Sequence, residues 1–397
     1  MIIKNADVFM VHGSFEKKTI VIKGLVISDV IDACPDHELK SLYPDEEIVD
    51  AKGLYAIPGL TDMHFHGCMG HDFCEGTAEA FDIMSAYEAS QGITTICPAT
   101  MTLSRETLLQ ICTAAADYRH VQKEEIKKAA KGGGLYKKAE LTGINLEGPF
   151  ISMAKKGAQN PAFIHQPDID MFRELYKASK NLVRTIAIAP EEPGAMEFID
   201  TLKDDVVISI AHTTAGYDIA SQAIRRGARH VTHLYNAMPP LSHRAPGVIG
   251  AACENDACHV ELICDGVHIH PATVRATFKM FGDDRIILIS DSMEATGMPD
   301  GQYSLGGLPV TVRGNLATLE DGTIAGSATN LMDCLRILVK TMGIPLASAV
   351  KCAAVNPAKE IGIYDHYGSI EPGKTANIVL LNSELDTVSV YLNGNRI

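Results

Sequence analysis

The sequence of 397 residues lacks any apolar run approaching the length of about eighteen residues that a membrane-spanning helix needs. Its start, MIIKNADVFM, lacks the basic segment and apolar core of a secretory signal. Basic residues are in deficit, because 35 Lys and Arg stand against 49 Asp and Glu, for a formal net charge of -14. Nucleic-acid binding needs a clustered basic surface, which this balance does not favour. These features predict a cytoplasmic protein whose partner is neither a nucleic acid nor a membrane.

The ten Cys residues include no CxxC pair and no dense disulfide framework. Most are therefore expected to be reduced thiols packed in the core. Cys68 and Cys74 lie near a His-rich turn and could be soft metal ligands, although packing beside that turn is the favoured interpretation. With 46% apolar and 21% charged residues, the chain is predicted to be globular and to bury a large core.

Both ends of the chain show short β-strand patterns broken by turn residues. Strands are predicted over 6–11, 19–22, 25–31 and 47–50 at one end, and over 368–381 and 388–392 at the other. Neither set forms a domain alone. The simplest arrangement pairs 1–54 with 360–397 in one small β-sandwich beside a central domain over 55–359.

Between the two ends, apolar β-rich runs alternate with longer helical stretches, which is the pattern of repeated βα units. Strands are predicted over 55–64, 94–99, 141–146, 185–189, 206–211, 230–234, 260–264 and 286–290. Helices are predicted over 78–91, 104–131, 168–179, 195–202, 218–226 and 272–281. Eight parallel strands favour an α/β fold of the closed (β/α)8 TIM-type, with its active site where the strands end. An open doubly wound sheet is the alternative.

Residue types that bind metals fall at the ends of these predicted strands. They are His64 and His66 at the end of the first, Glu147 after the third, His212 after the fifth, His233 in the sixth and Asp291 after the eighth. A lone His at a strand end is more often a hydrogen-bonded residue at the edge of the core. In a barrel, however, all these ends meet at one mouth, and the HxH spacing puts both imidazoles on one side of the strand. The joint pattern therefore predicts a shared metal site.

The residue types of this set also indicate what the site does. His and carboxylate ligands suit Zn, Fe, Mn or Co, and the lack of a thiolate cage indicates a catalytic site. Such an ion lowers the pKa of water to about 7 and polarises a substrate carbonyl. Asp291 is the predicted base, which takes a proton from water and later gives it to a departing amine. Its alternative role is that of a helix N-cap in the segment SDSME.

Seven motifs resemble, in the same order and over nearly the whole chain, those of the N-acetylglucosamine-6-phosphate deacetylase family in the amidohydrolase superfamily. They are PGLTDMHFHG, LEGPF, IAHTTAGY, THLYNAMPPLSHRAPG, ICDGVHIHP, LISDSMEATGMPDG and AGSATNLMDC. The HxH pair marks the whole superfamily, whereas the stretch 236–244 and the DGVH segment point to this family. The resemblance implies metal-dependent hydrolysis of N-acetyl-D-glucosamine 6-phosphate to D-glucosamine 6-phosphate and acetate in amino-sugar catabolism.

The resemblance also implies roles for the predicted metal ligands. Glu147, His212 and His233 match the principal metal ligands of the family, and Asp291 matches its catalytic acid and base. Some relatives without the HxH pair bind one ion. Since His64 and His66 are present here, a second ion bridged by Glu147 is expected, which gives one or two divalent ions per subunit.

The resemblance further implies a set of substrate contacts. The matching positions are Ala158, Gln159, Asn236, Ala237, His268, Ala325, Gly326 and Ser327. Arg244 matches a residue that grips the 6-phosphate in the neighbouring active site of a homodimer, as a bidentate guanidinium can. Its alternative is an exposed loop Arg. His270 is expected to face away from the substrate or to pack.

Position 159 departs from the family pattern. Relatives often carry a His there that helps to bind the phosphate, whereas Gln159 can donate a hydrogen bond but has no positive charge. The galacto epimer of the substrate and an acetamido sugar without phosphate therefore stay open. So do a dihydroorotase-like cyclic amidase, an adenine deaminase-like enzyme and a non-catalytic scaffold, although the intact ligand set argues against the last.

Overall fold

The computed structural model describes residues 1–397, and its centre is a ring of eight parallel strand positions surrounded by helices. In chain order the ring comprises Leu60–Asp62, Ile93–Ile96 with Ala99–Thr100, Glu140–Leu141 with Ile144–Leu146, Val183–Ile188, Val207–Ile210, His230–Val231, His259–Ile263 and Ile286–Ile289. Each strand pairs in parallel with the next.

The ring closes between its first and eighth strands. The amide of Asp291 donates to the carbonyl of His64 at 2.9 Å, and the amide of His66 donates to the carbonyl of Ser292 at 2.7 Å. These hydrogen bonds join the carboxyl ends of the two strands, so the sheet is a barrel and not an open doubly wound sheet. The predicted (β/α)8 barrel is confirmed.

Side-chain caps fix the starts of several barrel helices. Thr77, Ser104 and Asp168 each accept a hydrogen bond from a backbone amide three residues on, and so stabilise the first turn. The helices are Ala78–Ser90, Arg105–Ala130, Ile169–Ala178, Ala195–Leu202, Tyr217–Arg226, Gly247–Cys253, Pro271–Phe281, Leu331–Lys340, Leu346–Val350 and Asn356–Glu360, with a π-helical turn over Lys351–Val355. Short 3-10 turns lie at Phe73–Glu75, Met153–Lys155 and Pro161–Phe163. None of the helices is both long and apolar enough to cross a membrane.

Strands from both ends of the chain form a second sheet. Its order is Asn395–Arg396, Thr387–Leu392, Ile378–Leu381, Tyr55–Pro58, Ile2–Met10, Ser14–Lys23 and Val26–Asp32, with Ile48–Asp50 also paired to Ile2–Met10. A short helix, Asp36–Leu42, precedes the Ile48–Asp50 strand. Ile3, Ile20, Ile378 and Tyr391 form part of the fully buried core of this sheet. The small β unit built from both termini is thus confirmed, although the strand predicted over 368–381 begins only at Ile378.

The run predicted as one barrel strand over 55–64 is two strands. Tyr55–Pro58 pairs with the terminal sheet, and Leu60–Asp62 pairs with the second barrel strand. Between them, a Cβ on Gly59 would lie 2.2 Å from Oγ1 of Thr94. Because only glycine permits this close approach, the chain passes from the terminal sheet into the barrel at Gly59.

A three-stranded antiparallel sheet that the sequence did not predict follows the eighth barrel strand. It comprises Gly301–Leu305, Leu308–Arg313 and Leu316–Thr318. Its buried Leu305 packs in one cluster with Met101 and Met293 at the barrel mouth. This inserted sheet therefore forms part of one wall of the mouth.

A two-stranded ribbon, Gly67–Cys68 with His71–Asp72, lies just after the first barrel strand.

Candidate active site

The six predicted metal ligands are all buried at the carboxyl ends of the barrel strands. Three of them have left-handed backbone, with φ 43° at His212, 29° at His233 and 49° at Asp291. This conformation costs free energy for a residue with a Cβ, and such strain concentrates at functional sites. At these three positions the chain turns sharply where each strand ends, which brings the side chains to the barrel mouth.

Glu147, His212 and His233 form one compact group of ligand atoms, which we call the Glu147 cluster. Oε1 of Glu147 lies 3.2 Å from Nε2 of His212 and 3.0 Å from Nε2 of His233, and the two nitrogens lie 3.1 Å apart. Ligands at about 2.0–2.2 Å from a tetrahedral ion are separated by distances of this order. The three atoms therefore fit one face of a divalent-ion site.

His64, His66 and Asp291 form the second group, which we call the His64 cluster. Oδ1 of Asp291 lies 3.3 Å from Nε2 of His66 and 3.7 Å from Nε2 of His64. Nε2 of His64 is buried and has no hydrogen-bond partner. A buried nitrogen without a partner is costly, and a bound cation is the partner that this set of donors fits.

Glu147 connects the two clusters. Its Oε1 lies 3.5 Å from Nε2 of His64, and its Oε2 lies 3.2 Å from Nε2 of His66. One carboxylate thus contacts four imidazoles. This geometry fits either one ion in the Glu147 cluster or two ions that share Glu147.

The charges of the site are strongly coupled. Burial alone would raise the pKa of Glu147, but the charge of His64 and hydrogen bonds from His212 and His233 hold it well below its usual value. Burial alone would lower the pKa of His66, but hydrogen bonds with Asp291 and Glu147 and the charges of both raise it to about 10. Protons and divalent cations therefore compete for the same nitrogens.

Comparison with known proteins identifies the family. The sequence model of the amidohydrolase family matches residues 55–397. A protein of Bacillus subtilis (strain 168), named N-acetylglucosamine-6-phosphate deacetylase, is 38% identical over 340 residues, which cover 85% of this chain and 83% of that protein. The chain belongs to the amidohydrolase family. The resemblance to the deacetylases of this family is confirmed.

Two further relatives of this amidohydrolase have names that specify different amino-sugar phosphates. A protein of Escherichia coli O157:H7, named N-acetylgalactosamine-6-phosphate deacetylase, is 32% identical, over 85% of this chain and 86% of that protein. The structure of a mutant N-acetyl-D-glucosamine-6-phosphate deacetylase from Mycobacterium smegmatis, in complex with N-acetyl-D-glucosamine-6-phosphate, has a TM-score of 0.88 and 31% identity. The structural match covers 100% of this chain and 98% of the Mycobacterium smegmatis chain.

The amidohydrolase has a cavity of about 280 Å³ at the barrel mouth, next to both clusters. Of the predicted substrate positions, Ala158, Gln159, Asn236, Ala237, His268 and Gly326 line it. The side chains of Ala325 and Ser327 are fully buried behind the cavity instead. The amide of Ser327 donates to the carbonyl of Asp291 at 2.7 Å, so this turn holds Asp291 in place.

Gln159 lies deeper in the amidohydrolase than its predicted phosphate contact implies. Its Nε2 donates to Oε2 of Glu147 at 2.6 Å, and its Oε1 accepts from the amide of Thr102 at 2.7 Å. The oxygen of the buried amide and one of its two N–H groups are thus engaged within the protein. The hydrogen bond from Gln159 orients Glu147, and Gln159 also forms part of the cavity wall.

Arg244 is exposed on the loop before the helix Gly247–Cys253 and does not line the cavity of its own chain. His268 does line it, and its Nδ1 contacts Oδ2 of Asp265 at 2.7 Å. Burial lowers the pKa of His268, but the hydrogen bond with Asp265 outweighs it and raises the pKa. Asp265 thereby fixes the ring and leaves Nε2 as the atom available to a substrate.

Three alternative interpretations from the sequence are resolved by the structure. Asp291 is not a helix N-cap, because no helix begins directly after it and the next one starts at Leu331. Cys68 and Cys74 belong to neither cluster, and burial raises the pKa of both thiols well above the usual value, so packing is the better interpretation. His270 caps the helix Pro271–Phe281, where its Nδ1 accepts from the amide of Ala272.

The sequence did not point to several residues of this amidohydrolase site. The cavity is also lined by Met101, Ala154, Lys155, Gly157, Leu305, Thr323 and Ile324, most of them on loops. Nδ1 of His212 donates to the carbonyl of Lys155 at 2.8 Å, which turns Nε2 towards Glu147. Oε2 of Glu261 contacts Nδ1 of His64, the ring nitrogen that faces away from Glu147 and Asp291. Its signal in the sequence is a single acidic residue within the apolar strand HVELI.

Proposed function

We propose that this chain hydrolyses the acetamide of N-acetylglucosamine 6-phosphate to glucosamine 6-phosphate and acetate. The observation that carries the proposal is the pair of ligand clusters joined by Glu147 beside Asp291, inside a cavity of about 280 Å³. The names of the relatives, including the complex with the phosphosugar, support this substrate over other amides.

The donor set supports one or two divalent ions, with Zn, Fe, Mn or Co suited to His and carboxylate ligands. Glu147, His212 and His233 would hold one ion, and His64, His66 and Asp291 with Glu147 would hold another. When bound, such an ion supplies a Lewis acid that polarises the amide carbonyl and makes water more acidic.

Asp291 is the proposed proton carrier. Its carboxylate takes one proton from the attacking water as the oxygen of that water bonds to the carbonyl carbon. It then delivers the proton to the amide nitrogen as the C–N bond breaks, because an amine leaves as a neutral group. Hydrogen bonds from His66 and the charges of His64 and His66 lower the pKa of Asp291 although its burial raises it, which keeps the carboxylate ionised to accept the first proton.

His268 and Asn236 are the proposed positioning contacts for the sugar. Nε2 of His268 is free to bind a carbonyl or hydroxyl oxygen, because Asp265 holds Nδ1. The side chain of Asn236 donates weakly to the carbonyls of His233 and Leu234, at 3.3 and 3.4 Å, so its amide can turn to a substrate hydroxyl. Ala237, Ala158 and Gly326 leave room for the ring.

Arg244 is the proposed phosphate contact, and it acts across a homodimer. It lies outside the cavity of its own chain and is exposed, so a second copy must present it if it is to reach a bound 6-phosphate. A guanidinium can hold two phosphate oxygens at once.

A steady-state comparison of four substrates tests the proposal: the gluco and galacto acetamido sugars, each with and without the 6-phosphate. We expect acetate release to be fastest with N-acetylglucosamine 6-phosphate. Loss of the phosphate is expected to raise KM. If none of the four releases acetate from ion-loaded protein, the proposal is wrong.

The galacto epimer is the second candidate, since one relative at 32% identity carries that name. Preference for N-acetylgalactosamine 6-phosphate in the same comparison would replace the gluco assignment. It would leave the proposed chemistry of the two clusters unchanged.

A further inference from the structure

Beneath the His64 cluster, acidic and His side chains alternate through the barrel interior. In order they are His64, Glu261, His230, Glu360 and His259. The first four are buried, and only His259, with a side chain 32% exposed, reaches the surface. We call this set the buried chain.

Each link of the buried chain uses a different atom. Nδ1 of His64 lies 2.9 Å from Oε2 of Glu261, whose Oε1 lies 3.1 Å from Nε2 of His230. Nδ1 of His230 lies 3.1 Å from Oε1 of Glu360, and Oε2 of Glu360 lies 2.5 Å from Nδ1 of His259. Each carboxylate therefore presents one oxygen to each neighbouring imidazole, and the contacts at Nε2 of His230 and Nδ1 of His259 are ion-pair contacts without hydrogen-bond geometry.

The link between Glu261 and His64 has a direct chemical consequence. An ionised carboxylate can only accept, so Nδ1 of His64 must carry the hydrogen and donate it. The opposite nitrogen, Nε2, is then the one with a free lone pair. It is this Nε2 that faces Asp291 and Glu147, at 3.7 and 3.5 Å.

Glu261 also fixes the other cluster. Its Oε2 accepts a hydrogen bond from the backbone amide of His233 at 3.0 Å, in addition to that of His64. One buried oxygen therefore orients the ring of His64 and also holds the backbone of His233 in place.

Stability alone is a weak explanation for the buried chain. Removing charged groups from water is costly, and apolar residues of similar volume fill a barrel interior without that cost. A carboxylate that orients a metal-binding imidazole, by contrast, typically changes metal affinity by about ten- to a hundredfold.

We infer that Glu261, held in turn by His230 and Glu360, is a positioning residue that presents Nε2 of His64 to a divalent ion. The inference rests on the proposed metal site and not on the identity of the sugar. What it adds to that site is that the affinity for the second ion depends on side chains deeper in the barrel than the ligands themselves.

Equilibrium titration of the metal-free protein with Zn²⁺, in competition with a chromophoric chelator, tests the inference. Wild type is expected to bind two ions, and His66→Ala and His212→Ala identify which isotherm step belongs to which cluster. Glu261→Gln is expected to lower the affinity of the His64 cluster for its ion about ten- to a hundredfold. The same substitution should change the affinity of the Glu147 cluster for its ion by only a few-fold, because a Gln oxygen can still accept a hydrogen bond from the amide of His233.

Two further variants complete the experiment. Glu360→Gln changes a residue further along the buried chain and is expected to lower the affinity for the same ion by a smaller factor. This variant serves as the test if Glu261→Gln does not fold. Glu88→Gln is the matched control, since Glu88 is equally buried but outside the chain, and both its oxygens lack partners.

The outcomes separate the inference from the proposed function. If the affinity of the second ion is the same in Glu261→Gln and Glu360→Gln as in Glu88→Gln, or if wild type binds only one ion, the inference is overturned while deacetylation can still occur. If wild type binds no ion, the proposed metal site fails together with it. Selective weakening of one of two ions supports the inference.

Discussion

The barrel mouth and the terminal sheet solve different physical problems. At the mouth, His212, His233 and Asp291 have strained left-handed backbone, and buried nitrogens lack hydrogen-bond partners. In the terminal sheet, Ile3, Ile20 and Ile378 are fully buried in one apolar core. At the mouth, strained and unpartnered groups lower local stability but bring the ligands together. The terminal sheet stabilises the fold through its apolar core and contains none of the ligands. The predictions below test this division.

The largest effect is expected from Asp291→Asn at the mouth. Asparagine keeps the size of the side chain but cannot accept and return a proton, so kcat should fall by about a thousandfold. Stopped acetate-release assays on ion-loaded protein measure the loss. The Glu147-cluster ion should remain bound in metal analysis, and a variant with more than a tenth of the wild-type rate would contradict the role of Asp291.

A smaller effect is expected from Arg244→Ala, which lies outside the mouth of its own chain. Removing a guanidinium that grips a phosphate should raise KM for the phosphosugar by roughly tenfold to a hundredfold and leave kcat close to wild type. Kinetics with the sugar that lacks the phosphate provide the control, because that substrate should not distinguish the two proteins. An equal loss with both sugars would remove Arg244 from phosphate binding.

A matched pair of core substitutions sharpens the comparison directly. Ile378→Ala in the terminal sheet and Ile210→Ala in the fifth barrel strand each delete a fully buried side chain, and each should cost about 2–5 kcal/mol of unfolding free energy. Only Ile210→Ala should also weaken ion binding, since it lies two residues before His212. Chemical denaturation and Zn²⁺ titration measure the two quantities. Equal ion affinities in both variants would contradict the division.

The smallest effect is a pH dependence of stability that arises in the barrel interior. Burial lowers the pKa of His230, but Glu261 and Glu360 outweigh it and raise the pKa from 6.5 to about 9. Such a group contributes its full stability below about pH 6.5 and loses it as the pH rises through about 9. We expect the stabilising contribution of His230 to the metal-free protein to fall as the pH rises through this range.

Denaturation of His230→Gln and of the exposed control His37→Gln at pH 6 and pH 9.5 checks the sign. The variant at position 230 should be clearly less stable than wild type at pH 6 and closer to it at pH 9.5. The control should follow wild type at both. A difference that grows with pH would show that His230 is not charged in the folded protein.

The sequence predicts the barrel well because its signals are local. Apolar runs and capping residues such as Ser104 and Asp168 depend on neighbours within a few residues, and the helices they begin were predicted to within a residue or two. The run over 55–64 was misjudged because its division at Gly59 depends on Thr94, a partner distant in the sequence. The inserted sheet over Gly301–Leu305 and its neighbours was missed for a similar reason, since its Leu305 packs on the distant Met101.

The candidate site shows the same limit. The residue types at the ends of strands sufficed to predict His64, Glu147 and Asp291 as neighbours, because parallel strands must end at one mouth. Residue type did not reveal that Gln159 holds Glu147 or that Glu261 holds His64. Both are hydrogen bonds between segments that meet only after folding.

By itself, the sequence determined which residues could bind an ion and that a barrel would bring them together, since strand period and chemical type are written in short segments. Only the tertiary structure decided which nitrogen of each imidazole faces the cavity, which side chains orient the ligands and which loops form the walls. Those choices depend on distances between atoms far apart in the chain, and hydrogen-bond direction is set only when the folded neighbours are in place.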